Sequence, residues 1–186
     1  MTRTALVRTD RYPRGAIWLH WTIAVLVILN LTLGLLHDSL LDGVRWAIPL
    51  HKSVGICILA LTLILIGWRM THRPPPLPPE VAGWQRAVAK IVHTLLYLLL
   101  LALPLSGWAM VSAGEERRPL FWFGLARLPW LPVSDGVGEA ADRAHLVAGY
   151  LMTALVMLHV AAVLRHHFAL RNAVLARMAP WSARNG

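Results

Sequence analysis

The sequence is poor in the residues that keep a protein in water. Charged residues make up only 15% of its 186 residues, and Asp and Glu together number nine, whereas 57% of the residues are hydrophobic. An ordinary soluble domain of this length surrounds its core with many more charges. The composition excludes that class and indicates a membrane protein.

Cysteine is almost absent as well. Cys57 is the single cysteine and lies inside an apolar run, so the chain has neither a disulfide framework nor a CxxCH motif for covalent attachment of a cofactor. Any prosthetic group must therefore be held without covalent bonds from cysteine.

The scarcity of acidic residues leaves a formal net charge of +9 and a pI near 11.2. Such values are common among nucleic-acid-binding proteins, but here no stripe of Lys and Arg lies on a polar helix or beside a folded basic module. The basic residues stand in short stretches between apolar runs. Membrane topology explains them better than a nucleic-acid partner does.

Apolar residues gather in four long runs, each close to the ~20 residues that cross a hydrocarbon core. The first run is too long for a signal peptide and lacks a small-x-small cleavage site, so we expect it to remain as a helix. The pattern predicts an all-α fold: an integral membrane four-helix up-and-down bundle, with residues 1–186 as a single membrane domain. The predicted spans are about 16–36, 50–70, 89–112 and 144–166, with one long loop at about 113–143.

Charge differs between the two sides of this predicted bundle. The N-terminus, the connection between spans two and three, and the C-terminal tail together hold 12 basic residues and only Asp10 and Glu80 as acids. The other side holds six basic and seven acidic residues. By the positive-inside rule, both termini are predicted to be cytoplasmic and the long loop periplasmic.

Five of the nine histidines lie in or at the edges of the spans, where a protonatable ring is costly and indicates function. In an alternating topology His51 and His145 share the periplasmic depth, whereas His20 and His159 share the cytoplasmic depth. His145 and His159 are 14 residues apart, which is about 21 Å along a helix and within about 40° of one face. Neutral imidazoles on opposed helices suit haem iron, and zinc or copper would usually add Cys, Asp or Glu. The spacing predicts two haems b, each held by two histidines.

Several nearby residues have two interpretations. His93 has the depth of His20 but would be a third ligand for two axial positions; it is either a proton acceptor or hydrogen-bond donor near a quinone or haem edge, or a polar bridge between helices. Lys52 and Arg143 would pair with haem propionates on the periplasmic side, as Arg14 or Arg165 would on the other, or they are simple topological charges. Small residues make room for a macrocycle or allow close helix contact, and these are Gly34, Gly55, Gly107 and Gly149.

Several segments resemble the bacterial cytochrome b561 family over about residues 14–170. They are Ile17-Trp-Leu-His-Trp21, Leu50-His-Lys-Ser-Val-Gly55, Val92-His93, Ala102-Leu-Pro-Leu-Ser-Gly107, His145 to His159, and Leu164-Arg-His-His-Phe168. The resemblance implies a dihaem electron carrier of the bacterial inner membrane, linking the quinone pool to a periplasmic one-electron partner. Some members look like superoxide oxidases that pass the electron to ubiquinone, and others sit beside periplasmic lipid-binding or redox proteins. The four paired histidines fall on the family's ligand positions.

Three functions remain to be weighed. The first is a stand-alone oxidoreductase, such as a superoxide:ubiquinone oxidoreductase. The second is a cytochrome b membrane-anchor subunit of a larger redox enzyme such as a hydrogenase or dehydrogenase, which a long soluble extension would have favoured. The third, a transporter or haem store, predicts acidic or broken-helix sites at the midplane, and the sequence shows none. We favour the first.

The long loop carries two apolar segments, residues 121–125 and 128–132, which are too apolar to be fully solvated and too short to cross a bilayer. We expect them at the membrane interface as a cap that partly covers the periplasmic haem. The alternative is a loop that only seals the bundle. Basic residues available there to attract an anion such as superoxide are Arg45, Lys52, Arg117, Arg118, Arg127 and Arg143.

Overall fold

The computed structural model describes residues 11–72, 74–76, 81–115 and 117–180, most of which are helical. Four helices are long and apolar enough to cross a membrane, which confirms the predicted all-α, four-helix membrane fold. Each predicted span lies within one of them. The helices are α1 (Arg14–Leu36), α2 (Ala47–Thr71), α3 (Gly83–Ser112) and α4 (Asp135–Leu164), the last continued by a π-helical turn (Arg165–Ala169).

The helices expose apolar side chains on most of their surface. Only 11% to 28% of the most apolar window of each helix is buried inside the protein. Large side chains such as Val25, Leu63, Leu98 and Met157 are more than half exposed. A helix that is apolar all round is stable when hydrocarbon covers it, so the exposed surface of this bundle is the surface that faces lipid.

The helices pack as two antiparallel pairs, α1 with α2 and α3 with α4, and α2 also packs against α3. We call the end of the bundle with residues 11–13, residues 170–180 and the α2–α3 connection the terminal end, and the opposite end the hairpin end. The apolar core lies between the two ends. It consists of Ile23, Val27, Val54, Ile58, Leu65, Leu99, Leu100, Met152 and Leu155.

The fourth helix begins at Asp135, well before the predicted start of its span at residue 144. Its first turns carry Asp135, Glu139 and Asp142, so a search for apolar residues could not detect them. The carboxylate of Asp135 accepts a hydrogen bond of 2.9 Å from the backbone N–H of Gly114. The helix thus extends beyond its apolar part, and the long loop is shorter than predicted.

The remaining loop contains a two-stranded antiparallel hairpin that was not predicted. Strand β1 (Leu120–Trp122) pairs with β2 (Ala126–Leu128), with Leu120 opposite Leu128. Residues 123–125 form the turn, where Gly124 has a positive φ of 72°, a conformation that glycine adopts without strain. Two strands this short depend on packing against another element.

A buried serine fastens the hairpin to α2. The Ser53 hydroxyl accepts a 2.9 Å hydrogen bond from the Phe123 N–H and lies 3.2 Å from the Phe121 carbonyl, to which it can donate. Further along α2, the Trp122 indole N–H donates to Cys57 Sγ at 3.3 Å. On α3, the Ser112 hydroxyl accepts a 3.0 Å hydrogen bond from the Leu131 N–H and so holds the segment that follows the hairpin.

These contacts lie on the side of α2 turned away from His51. At 100° per residue, Ser53 is about 200° around the helix from His51, and Cys57 about 240°. The hairpin therefore packs against the side of α2 that is turned away from His51, and the cap over the periplasmic haem stays a prediction. Its position follows from the buried hydroxyl of Ser53, which offers the strand a hydrogen-bonding partner on this face.

We expect Ser53→Ala to loosen the hairpin without unfolding the bundle, because it removes the side-chain partner of the Phe123 N–H. A lost hydrogen bond of this kind costs about 1–2 kcal/mol, so amide exchange in residues 118–130 should accelerate roughly tenfold. Hydrogen exchange with mass spectrometry on detergent-solubilised protein measures this. Thr32→Val is the control, because the Thr32 hydroxyl bonds only its own helix at Ile28. Unchanged amide exchange in Ser53→Ala would show that the Ser53 hydroxyl does not hold the hairpin against α2.

Candidate cofactor sites

Two histidine rings face each other across the hairpin end. His51 on α2 and His145 on α4 have ring centroids 6.1 Å apart and planes inclined by 78°. The His51 Nδ1–H donates to the Asn30 carbonyl of α1 at 3.1 Å, and the His145 Nδ1–H donates to the Leu103 carbonyl of α3 at 3.0 Å. Because a carbonyl only accepts, Nδ1 carries the proton in both rings. The Nε2 nitrogen of each ring is therefore left with a lone pair for a metal.

A glycine gives each ring access to its carbonyl. In a helix each side chain leans toward the N-terminus and covers the preceding turn, so the residue four positions after a carbonyl decides whether a neighbour can reach it. Those residues are Gly34 after Asn30 and Gly107 after Leu103. A Cβ atom on Gly34 would lie 3.0 Å from His51 Cε1, and one on Gly107 would lie 3.1 Å from His145 Cε1.

Two further rings come together toward the terminal end. His20 on α1 and His159 on α4 have centroids 6.3 Å apart and planes inclined by 61°. Trp21 packs edge-on to His20 at 5.8 Å, and its indole N–H donates to the Met178 carbonyl at 2.7 Å. The segment after the π-helical turn thus folds back beneath this pair.

The two pairs lie at levels set by a repeated spacing. Fourteen residues separate His145 from His159, and the same number separates His20 from Gly34 and His93 from Gly107. Each interval corresponds to about 21 Å along a helix. The two levels are therefore about 21 Å apart, which is less than the ~30 Å thickness of the hydrocarbon core. The apolar core lies between them.

The ring spacing fits a shared six-coordinate metal. A metal–imidazole bond is about 2 Å long, so two rings bonded in line to one metal have centroids about 6 Å apart. Both pairs meet this distance, and each joins neutral imidazoles from different helices. Among the residues that the structure describes, no cluster of three or more His, Cys, Asp or Glu has the geometry of a metal site. Such a pair of imidazoles would suit a haem with two axial histidines, and this ligation stays a prediction.

His93 lies beside the terminal-end pair without completing another. Its ring centroid is 5.3 Å from that of His159, nearer than the distance in either facing pair. Its Nδ1–H donates to the Ala89 carbonyl of its own helix at 2.7 Å. Neither of the two interpretations of His93 is tested by this arrangement. Both a role at a quinone or haem edge and a polar helix bridge remain predictions.

The cations predicted to pair with haem propionates differ in burial and in their position relative to the histidine pairs. Lys52 is half-buried next to His51, and the Arg118 charge acts on it. Arg143 is exposed and stands two residues before His145, which puts it about 200° around α4 from that ring. Arg14 and Arg165 are also exposed. The structure therefore brings Lys52 to a histidine pair, but not Arg143.

One cation was not singled out from the sequence. Arg69, near the end of α2, is half-buried, and its guanidinium lies 5.8 Å from the centre of the Tyr12 ring. The available signal was its position 18 residues after His51, on the helix that has no histidine at the terminal-end level. It is one of the 12 basic residues that the charge pattern explains as topological charges.

Comparison with known proteins agrees with this architecture. The sequence model of the family described as prokaryotic cytochrome b561 matches residues 11–181. The chain belongs to this family. It is accordingly a multi-pass membrane protein of electron transport that carries haem b.

Relatives match over nearly their whole length. Cytochrome b561 homolog 2 of Escherichia coli K12 is 31% identical over 173 residues, covering 91% of each chain. Probable superoxide oxidase CybB of Yersinia pestis is 28% identical over 91% of this chain and 96% of its own length. Cytochrome b562 of Cereibacter sphaeroides is 29% identical over 90% and 94%.

We expect Gly34→Ala and Gly107→Ala to weaken haem binding at the hairpin end, because each new methyl group would press on the ring of His51 or His145. Overpacking of this kind costs about 1–3 kcal/mol, so binding should weaken by roughly tenfold or more. Haem content per chain and the reduced spectrum measure the effect. Gly67→Ala is the matched control, because a Cβ there meets no atom within 4 Å. Full haem content with an unshifted spectrum in both variants would contradict the spacing role.

Proposed function

We propose that the protein is a dihaem b-type cytochrome that carries electrons across the bacterial inner membrane between the quinone pool and a periplasmic one-electron partner. The observation that carries this proposal is the pair of facing histidine couples, His51 with His145 and His20 with His159, at two levels of one bundle. Haem b held at each level supplies a one-electron carrier near each face of the membrane.

Each residue near the hairpin-end couple has a definable task. The carbonyls of Asn30 and Leu103 orient the rings and keep the proton on Nδ1. Gly34 and Gly107 allow the rings to approach those carbonyls. The Ser106 hydroxyl, 3.1 Å from His145 Nδ1, adds a second polar contact. Such second contacts fix the tautomer and raise the basicity of a ligating imidazole.

We place the terminal end in the cytoplasm. The described acidic residues lie toward the other end, whereas basic residues predominate at the terminal end. This distribution supports the orientation through the positive-inside rule. The hairpin-end couple is then the periplasmic one, and the terminal-end couple is the cytoplasmic one.

A groove between α2 and α3 offers a quinone an approach to the terminal-end couple. It has a volume of about 280 Å³ and is lined by Ile66, Arg69, Met70 and Tyr97. Met70 is 84% exposed, so the groove opens toward the lipid, where quinones are dissolved. Arg69 in the wall of the groove supplies a positive charge at the end of the bundle where His93 is predicted to act at a quinone.

Superoxide is the periplasmic partner that we favour. One relative is named a probable superoxide oxidase, and an anion would be attracted to the positive charges near His51. Lys52 stands beside His51, and Arg118 is close enough to act on it. Arg127 stacks on the Trp130 ring at 4.3 Å, and Arg117 lies 5.6 Å from the same ring, which holds both cations near the hairpin.

Purified protein should contain two extractable haems b, and single histidine changes should remove them in pairs. We expect His51→Ala and His145→Ala each to abolish the same haem, and His20→Ala and His159→Ala each to abolish the other, because every ring supplies half of an axial field. His93→Ala should retain both. Acid-acetone extraction, pyridine haemochrome quantification and low-temperature spectra measure this.

A single haem in the wild-type protein would refute the proposal, and so would removal of the same haem by His20→Ala and His51→Ala. The His93→Ala variant is the matched control, since it deletes an imidazole at the same depth as His20. Loss of a haem from it would mean either that His93 is an axial ligand or that its contact is needed to hold the site, and a structure of the variant would distinguish the two.

Reduction of the oxidised protein by superoxide should slow as salt is added. Screening of surface charge over about 10 Å at 0.1 M ionic strength removes steering of an anion. Arg118→Gln should lower the rate severalfold at low salt and flatten the salt dependence, whereas Arg165→Gln, at the opposite end, should not. Stopped-flow absorbance at the haem bands measures both. If the reduction rate changes neither with salt nor in Arg118→Gln, electrostatic steering of superoxide is contradicted.

A further inference from the structure

Arg69 is a half-buried cation, and no ion pair joins it to an acidic side chain among the residues that the structure describes. It lies near the end of α2, and its Nε atom is fully buried and has no hydrogen-bond partner. Its guanidinium lies 5.8 Å from the centre of the Tyr12 ring. A stacked guanidinium with an unsatisfied N–H retains a strong requirement for an anion, because desolvation of a charged donor is expensive.

The depth of Arg69 relates it to the terminal-end couple. His51 and His145 share one level, and Arg69 is 18 residues beyond His51, or about 27 Å along the helix. His159 is about 21 Å beyond His145. Arg69 therefore lies about 6 Å farther toward the terminal end than His159. A carboxylate of a cofactor bound between His20 and His159 would have to extend only about this far to meet Arg69.

The direction of the side chain agrees with this depth. The guanidinium lies against the ring of Tyr12, just before the start of α1, so the side chain points toward the terminal end. Exposed residues such as Arg14 and Arg165 offer no comparable position. Arg69 thus combines partial burial with a depth just beyond that of the terminal-end couple.

Acidic side chains that could neutralise Arg69 are distant within the described part of the chain. Those residues lie toward the hairpin end and are Asp38, Asp42, Glu115, Asp135, Glu139 and Asp142. The other three acidic residues, Asp10, Glu80 and Glu116, lie outside the described residues. The unsatisfied Nε and the depth of Arg69 favour an anionic ligand whether or not one of these three is nearby.

We infer that Arg69 binds a propionate carboxylate of the haem held by His20 and His159. This inference rests on the proposed function. The planar guanidinium can donate two parallel hydrogen bonds to one carboxylate, which is the strongest arrangement for such a pair. Tyr12 supports the guanidinium from one side, and the buried Arg177 lies 5.7 Å from the same tyrosine ring.

A positive charge at this position has a measurable consequence. Reduction adds one negative charge to the haem, and a nearby cation stabilises the reduced state more than the oxidised one. Arg69 therefore raises the midpoint potential of the terminal-end haem relative to an uncharged residue. The hairpin-end haem is about 27 Å away along the helix and should not respond.

The test is a redox titration of purified holoprotein carrying Arg69→Gln, with Arg69→Lys as the charge-conserving variant and Arg165→Gln as the exposed control. Arg69→Gln should make reduction of one haem about tenfold less favourable, a downward shift of about 59 mV for a one-electron couple. Arg69→Lys should recover most of that shift, and Arg165→Gln should produce none. The same substitution in a His51→Ala background, which keeps only the terminal-end haem, identifies the haem that responds.

The outcomes separate this inference from the proposed function. A protein whose histidine variants do not divide into two pairs refutes the proposed function, whatever Arg69 does. Two normally paired haems with unchanged potentials in Arg69→Gln overturn the inference alone, and so does an equal shift in Arg165→Gln. If Arg69→Gln selectively loses the terminal-end haem and Arg69→Lys retains it, the inference is supported. If Arg69→Gln has normal potentials and Arg69→Lys loses haem, the inference is contradicted.

Discussion

An imidazole ring inside a bilayer must satisfy both of its nitrogens, and much of this structure follows from that requirement. At the hairpin end, the rings of α2 and α4 direct Nδ1 to backbone carbonyls of α1 and α3. Those carbonyls already accept a hydrogen bond within their own helices, but a carbonyl oxygen has two lone pairs and can accept a second. The remaining nitrogen of each ring is then free for a metal. The arrangement therefore couples helix packing to cofactor binding: α2 must lie close to α1, and α4 close to α3.

The same requirement makes the two helix pairs internally similar. In α1 a histidine at position 20 precedes the accepting carbonyl by ten residues and the glycine by 14, and in α3 His93 stands in the same relation to Leu103 and Gly107. The similarity fails at the terminal end. His145 is followed after 14 residues by His159, whereas His51 is followed after 14 residues by the buried Leu65. Three rings therefore lie at the terminal end, those of His20, His93 and His159, and α2 has Leu65 where a fourth would stand.

The apolar character of the long loop could be recognised in the sequence, but the helix face against which the loop packs could not. Its aromatic residues are too apolar for water, and the structure does set them against a membrane helix. The hairpin nevertheless packs beside α2, because Ser53 is a buried hydrogen-bonding group on the face opposite His51. A serine two residues after a histidine has no distinctive pattern in a sequence. Its importance depends on which strand reaches it, and that strand comes from a segment 68 residues later.

The four membrane helices and the pairing of histidines by depth were accessible from the sequence. Hydropathy, charge asymmetry and the 3.6-residue period are properties of the sequence along each helix. They can be read without knowing how neighbouring helices pack. The early start of α4 was hidden because its first turns are polar. Tertiary structure alone decided three features. They are the carbonyl that holds each ring, the need for glycine at Gly34 and Gly107, and the direction of the Arg69 side chain. Each of these depends on the rotation of one helix against another, and a pattern within a single helix contains no information about that rotation.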